Sequence, residues 1–145
     1  GVHLKMDKDW HTYWRNAGEA GIPTTIEWEL PPGITAGEIQ WPIPVKAVTS
    51  DLTTYEYHDE VVLLVPIKVA ASAPAGPLNL RAKVAWLECA TDGACIPGDQ
   101  RVETALQIGA RTESSQDASL IETWTKKLAQ SGATLSAGAR WGCLF

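Results

Sequence analysis

The stretch LNLRAKVAWL, residues Leu78–Leu87, decides the fold. Leu78, Leu80, Ala82, Val84 and Trp86 fall on one side of an extended chain, and Asn79, Arg81 and Lys83 on the other. A period of two is the side-chain period of a strand with one buried face. The same rhythm recurs on both sides of it. Val2–Met6 alternates, with Val2, Leu4 and Met6 against His3 and Lys5. Thr24–Leu30 places Ile26, Trp28 and Leu30 together before the breaker Pro31-Pro32-Gly33. Arg101–Ile108 alternates through Val102, Thr104, Leu106 and Ile108. Glu60–Val69 carries the apolar run VVLLVPIKV, in which Pro66 implies an edge strand or a bulge. Short strands parted by frequent turns predict an all-β sandwich. No βαβ rhythm is present, which argues against thioredoxin-like and Rossmann folds.

Beyond Arg111 the pattern changes. Leu120, Ile121, Trp124 and Leu128 recur at helical spacing and predict a short C-terminal helix over Ala118–Gln130. Ser114 or Ser115 is the expected cap, Lys126 and Lys127 favour its end, and Gly132 is the expected stop. The tail from Ala133 to Phe145 has no assignable pattern. The chain opens at Gly1 within a strand pattern, so an upstream leader is expected to have been removed.

With 145 residues the chain is long enough to bury a core without staples. Its net charge is −5 and it has no Lys/Arg-rich run, which argues against nucleic acid and anionic membrane as partners. No apolar stretch approaches the roughly 18 residues that a membrane-spanning helix needs.

The three cysteines are Cys89, Cys95 and Cys143. An odd count fits either one spare thiol in an oxidising compartment or three thiols in a reducing one. Cys89 and Cys95 flank five small or polar residues at the end of the most regular strand, and Asp92-Gly93 supplies a tight turn between them. A hairpin there could bring the two within bonding reach. As a staple the bond would stabilise by about 2 kcal/mol, against about 4 for a bridge spanning sixty or more residues. A short-loop bond on an exposed hairpin is well placed for exchange. Spacing alone leaves an exchanging pair and a plain staple open. No metal site is expected from it, because no matching Cys/His pair lies downstream.

Two further segments stand out. Trp10-His11-Thr12-Tyr13-Trp14 packs four rings into five residues; it reads as a core strand with aromatics on both sides, or as a wall beside a reactive site. Thr53–Asp59, TTYEYHD, reads as a solvated hairpin loop, or as a lid.

Together the segments WHTYWRNAGEAGIPT (10–24), GEIQWPIP (37–44), YEY (55–57) and AWLECATDGACIP (85–97) resemble the N-terminal domain of the DsbD thiol:disulfide interchange family, especially its suppressor-of-copper-sensitivity, ScsB-like branch. The resemblance covers about residues 1–110, with the pieces in the family's order. It implies an immunoglobulin-like β-sandwich in the periplasm. Residues 111–145 carry no motif of the family and are read from their own pattern as helix and tail, an expected linker toward a further domain. The resemblance implies a reversible Cys89–Cys95 disulfide as the catalytic pair of a protein-disulfide reductase system, with no cofactor. Electrons would arrive from a membrane-embedded and thioredoxin-like part of the same membrane-anchored protein. They would leave to periplasmic thiol-disulfide oxidoreductases, such as disulfide isomerases or cytochrome c maturation thiols. By the family pattern Cys95 forms the mixed disulfide and Cys89 resolves it. The family also lays an aromatic cap loop over the bond, in the region of Tyr55 and Tyr57, and His11 and Tyr13 match aromatics that flank the cysteines.

Local charge bears on that role. Glu88, Asp92 and Asp99 surround the pair, with no Lys or Arg closer than Arg101. Like charge disfavours the thiolate, so the thiols are expected to be slow until a partner activates them. Two rival readings are a non-catalytic binding module with a structural disulfide, and a copper-tolerance protein. The second, prompted by the branch name, would draw on His3, Met6, His11 and the cysteines as soft or borderline ligands, although they share no spacing.

Overall fold

Alternating strands need partners to bury their apolar faces, and the computed structural model shows how they find them. It describes residues 1–129. Ten strands precede one helix: β1 (Val2–Lys5), β2 (Trp10–Gly18), β3 (Thr25–Glu29), β4 (Ile34–Ala36), β5 (Val45–Thr49), β6 (Leu52–His58), β7 (Glu60–Leu63), β8 (Ile67–Val69), β9 (Gly76–Ala90), β10 (Cys95–Ile108) and α1 (Ala118–Ala129). The architecture is the expected all-β, immunoglobulin-like sandwich with a short C-terminal helix.

The main sheet runs β10-β9-β2-β6-β5, every pair in it antiparallel. One edge of β9 is covered along its whole length by β10, from Cys89↔Cys95 to Gly76↔Ile108. The other edge is shared. β2 pairs with it at Cys89 and Ala90, and β3 pairs with it over Arg81–Ala85. The expected alternation holds: Leu80, Ala82 and Val84 are buried while Asn79 and Arg81 are exposed. β9 is longer than its alternating stretch, and its partner β10 reaches back past Arg101 to Cys95.

Three expectations are corrected. The run Glu60–Val69 is two strands in two sheets: β7 pairs with β1, and β8 with β4. Pro66, which cannot donate to a ladder, stands at the junction, and its carbonyl accepts from Gly37 N–H at 2.8 Å. Val61, Val62 and Leu63 are all fully buried, so β7 is covered on both faces and has no alternation to show. Thr53–Asp59 is no hairpin loop; all but its last residue lies within β6, an inner strand between β2 and β5. Ser115 does not cap the helix. Its hydroxyl is buried without a hydrogen-bond partner among the described residues, and the first helical turn closes from Asp117 O to Ile121 N–H at 3.0 Å.

The helix belongs to the core. Ile121, Trp124 and Leu128 pack with Tyr57 and with Val61–Leu64 in one buried cluster. Gln130 and the tail, including Gly132 and Cys143, lie outside the described residues.

Candidate functional site

Cys89 and Cys95 are directly opposite in the β9–β10 ladder, with Cα atoms 4.1 Å apart, and their sulfurs are bonded. The turn between them explains the spacing. Gly93 N–H donates to Ala90 O at 2.9 Å, and Asp92 Oδ1 accepts from Ala94 N–H at 3.1 Å. Gly93 sits at φ +96°, a left-handed conformation that favours glycine. Thr91 ties the tip to the rest of the fold: its N–H and its hydroxyl both donate to Asp9 O at 3.0 Å.

Register then sorts the side chains by face. Cross-strand partners share a face of a sheet. His11 is opposite Cys89 on one side and His58 on the other, and Tyr13 is opposite Glu56. The disulfide therefore shares a face with His11, Tyr13, Glu56 and His58. Thr12 is opposite Tyr57, which puts Tyr57 on the other face, toward the main core.

The bond is unevenly exposed. Cys89 is 3% exposed and clusters with Tyr13 and Ala17, with Leu87 against them. Cys95 is exposed on the outer strand. A bulge in β2 between Tyr13 and Gly18 turns Ala17 inward to this cluster. The chain after β2 then passes across Tyr13, so closely that a Cβ at Gly21 would lie 2.4 Å from the ring.

Beside the sulfurs lies a buried polar cluster. Glu56 is 5% exposed. Its Oε1 is 3.3 Å from His11 Nε2 and accepts from the Thr54 hydroxyl, and its Oε2 is 2.9 Å from His58 Nε2. The Tyr13 hydroxyl is 3.1 Å from His11 Nε2. Burial lowers the His11 pKa from its usual 6.5, with Glu56 opposing and His58 adding to the shift. Burial, helped by Glu56, raises that of Tyr13.

The sequence-predicted residues divide accordingly. His11 and Tyr13 are gathered at Cys89. Tyr55 and Tyr57 are not brought to the disulfide: Tyr55 packs edge-on against Trp14, with ring centroids 5.7 Å apart, and the Tyr57 hydroxyl donates to Pro42 O at 2.7 Å. A cap made by these tyrosines is thereby corrected, because β6 holds them on the face away from the sulfurs. The two faces of Trp10–Trp14 differ: Trp14 packs against the main core, while His11 and Tyr13 lie on the face of the Cys89–Cys95 bond. The copper set is dispersed. His3 is held by Glu60 at 2.7 Å, and Met6 Sδ accepts from Thr12, on the face opposite to His11. Sequence reasoning misses Glu56 and His58. Their only signal is the alternation of Thr54, Glu56 and His58 with Thr53, Tyr55 and Tyr57. The acids near the pair are partly engaged, since Asp99 lies 3.9 Å from Lys83.

Known proteins share this fold and sequence pattern. The family model described as thiol:disulfide interchange protein DsbD, N-terminal, matches residues 1–107. Among solved structures, the N-terminal periplasmic domain of ScsB from Proteus mirabilis shares the fold, with a TM-score of 0.58 at 21% identity. The match covers 88% of this chain and 45% of that one, so the chain spans less than half of the length of that structure. No curated protein matches by sequence.

Proposed function

The chain belongs to the family of DsbD N-terminal domains, and we propose that it is a periplasmic exchange domain that passes electrons to other proteins through Cys89 and Cys95. The observation that carries this reading is the unequal exposure of the two sulfurs. A partner approaching along the outer strand meets Cys95, while Cys89 stays under Tyr13 and Ala17. Exchange goes by attack of a thiolate on a sulfur it can reach.

In the reduced domain the Cys95 thiolate attacks one sulfur of a partner's disulfide, and the partner's other sulfur leaves as a thiolate. The Cys89 thiolate then attacks Cys95 Sγ, the partner's bonded sulfur leaves, and the Cys89–Cys95 bond closes. Two electrons have passed to the partner. Reloading is the reverse exchange with the dithiol of a thioredoxin-like domain, and no organic cofactor enters. The substrates are periplasmic thiol-disulfide oxidoreductases, met through the exposed apolar surface around Cys95. Ile96 is 51% exposed and Ile22 is 59% exposed. Ile22, Trp86 and Pro97 line a shallow hollow of about 370 Å³ along this hairpin.

Trapping tests the roles. Cys89→Ala is expected to accumulate mixed disulfides with oxidised partner domains on non-reducing gels, and Cys95→Ala to form none. Trapping by Cys95→Ala alone would reverse the assignment. A Cys89–Cys95 reduction potential below about −300 mV would return the bond to the status of a staple.

A further inference from the structure

We propose that His11, Glu56 and His58 form a binding site for one divalent transition-metal cation of the zinc class, on the disulfide face of the main sheet. Pairing of β2 with β6 makes the juxtaposition. His11 and His58 are direct cross-strand partners, and Glu56 is one alternation from His58 on the same face. Their donor atoms all lie within 4.8 Å of one another. In a tetrahedral centre with metal–ligand distances near 2.0–2.2 Å, neighbouring donors stand roughly 3.3–3.5 Å apart. The His11–Glu56 pair, at 3.3 Å, already has that spacing. The His58–Glu56 pair, at 2.9 Å, needs to open by about half an ångström.

The donor set selects the ion. Two imidazoles and one carboxylate suit zinc, copper(II), nickel or cobalt; calcium and magnesium demand oxygen ligands. Three protein ligands leave a fourth position open. Here it has access to solvent, since the His58 side chain is 41% exposed while Glu56 and His11 are buried. The Tyr13 hydroxyl lies 3.1 Å from His11 Nε2, and the Thr54 hydroxyl donates to Glu56 Oε1.

Burial supplies a second argument. Glu56 is 5% exposed, and its contacts are two imidazoles and the Thr54 hydroxyl; buried acidic side chains are paired or coordinate metals.

The experiment uses the full chain in its oxidised form, stripped with a chelator and then titrated with Co²⁺, followed by its visible absorption, and with Zn²⁺ by calorimetry. Expected is one cation per chain. His58→Ala and Glu56→Gln should weaken binding by roughly a hundredfold or more, since loss of an outer-shell partner alone costs 10–100-fold. His58 is half-exposed and Glu56→Gln is nearly isosteric, so circular dichroism should report folded variants. His3→Ala, at the separate His3–Glu60 pair, and the double variant Cys89→Ala/Cys95→Ala should bind as the parent does. Failure of this site and failure of the exchange reading are thus distinguishable. No saturable binding by the parent, unchanged binding in His58→Ala and Glu56→Gln, or loss of binding in the double cysteine variant would each overturn the proposal.

Discussion

Two tyrosines on adjoining strands show how a single step of register separates a residue that serves the sulfurs from one that serves the core. Tyr13 shares its face with Cys89 and is packed against it. Tyr57 is 6% exposed, on the opposite face, among Val61–Leu64 and the helix. Removing the Tyr13 ring should open Cys89 and its bond to small thiols, because exchange depends on access. Tyr13→Ala is therefore expected to be reduced by glutathione several-fold faster than the parent. Tyr57→Phe should be reduced at the parent rate, but should lose about 1–2 kcal/mol of stability through the unpaired Pro42 carbonyl. Thiol-release kinetics and urea titration read the two effects separately. Equal reduction rates for Tyr13→Ala and the parent would mean that the ring does not shield the bond.

At the scale of elements, the β9–β10 hairpin is the most legible part of the sequence and β6 the least. Leu78–Leu87 has a clean apolar face and a clean polar face, and Asp92-Gly93 marks the turn, so strand and turn follow from ordinary side-chain chemistry. β6 has two buried faces of different character. Tyr57 faces the core, while Thr54 and Glu56 face a buried polar cluster, so TTYEYH has the composition of a loop although it is an inner strand. The cluster itself is illegible for a related reason. His11 and Glu56 lie far apart in the chain and meet only through strand register, which no short motif encodes. The helix and its start at Ala118 are legible from its apolar spacing; its cap is not, because neighbouring serines are as good a cap in sequence as Asp117. The hairpin turn yields its own test. A Cβ added at Gly93 would have nothing within 4 Å, and the residue sits at φ +96°, so Gly93→Ala meets no clash, only backbone strain. Strain of this kind costs on the order of 1 kcal/mol. The urea midpoint should fall accordingly while Cys89 and Cys95 still pair; an unchanged midpoint would show that the turn relaxes to another conformation.

For the whole molecule, the question is whether the fold outlives its disulfide, since an exchanging domain must be folded in both redox states. The main core is built without the cysteines. It comprises Tyr57, Val61–Leu64, Ile121, Trp124 and Leu128, on the face of the sheet away from the bond. The hairpin is held along its length by the ladder from Cys89↔Cys95 to Gly76↔Ile108, and its tip by Thr91 on Asp9. Closing so short a loop contributes only about 2 kcal/mol. The core contributes far more: Trp124→Ala alone should cost about 3–5 kcal/mol, as truncation of a buried Trp does. Reduction of the bond is therefore expected to lower the urea midpoint modestly and to leave the near-ultraviolet circular dichroism of the buried aromatics in place. Trp124→Ala should lower the midpoint more than reduction does, although the helix lies beyond the last matched residue of the family model. Either result is decisive. A reduced chain that keeps its aromatic signal can deliver electrons and wait, folded, to be reloaded. A reduced chain that unfolds would make Cys89–Cys95 a structural bond, and the exchange mechanism would fail with it.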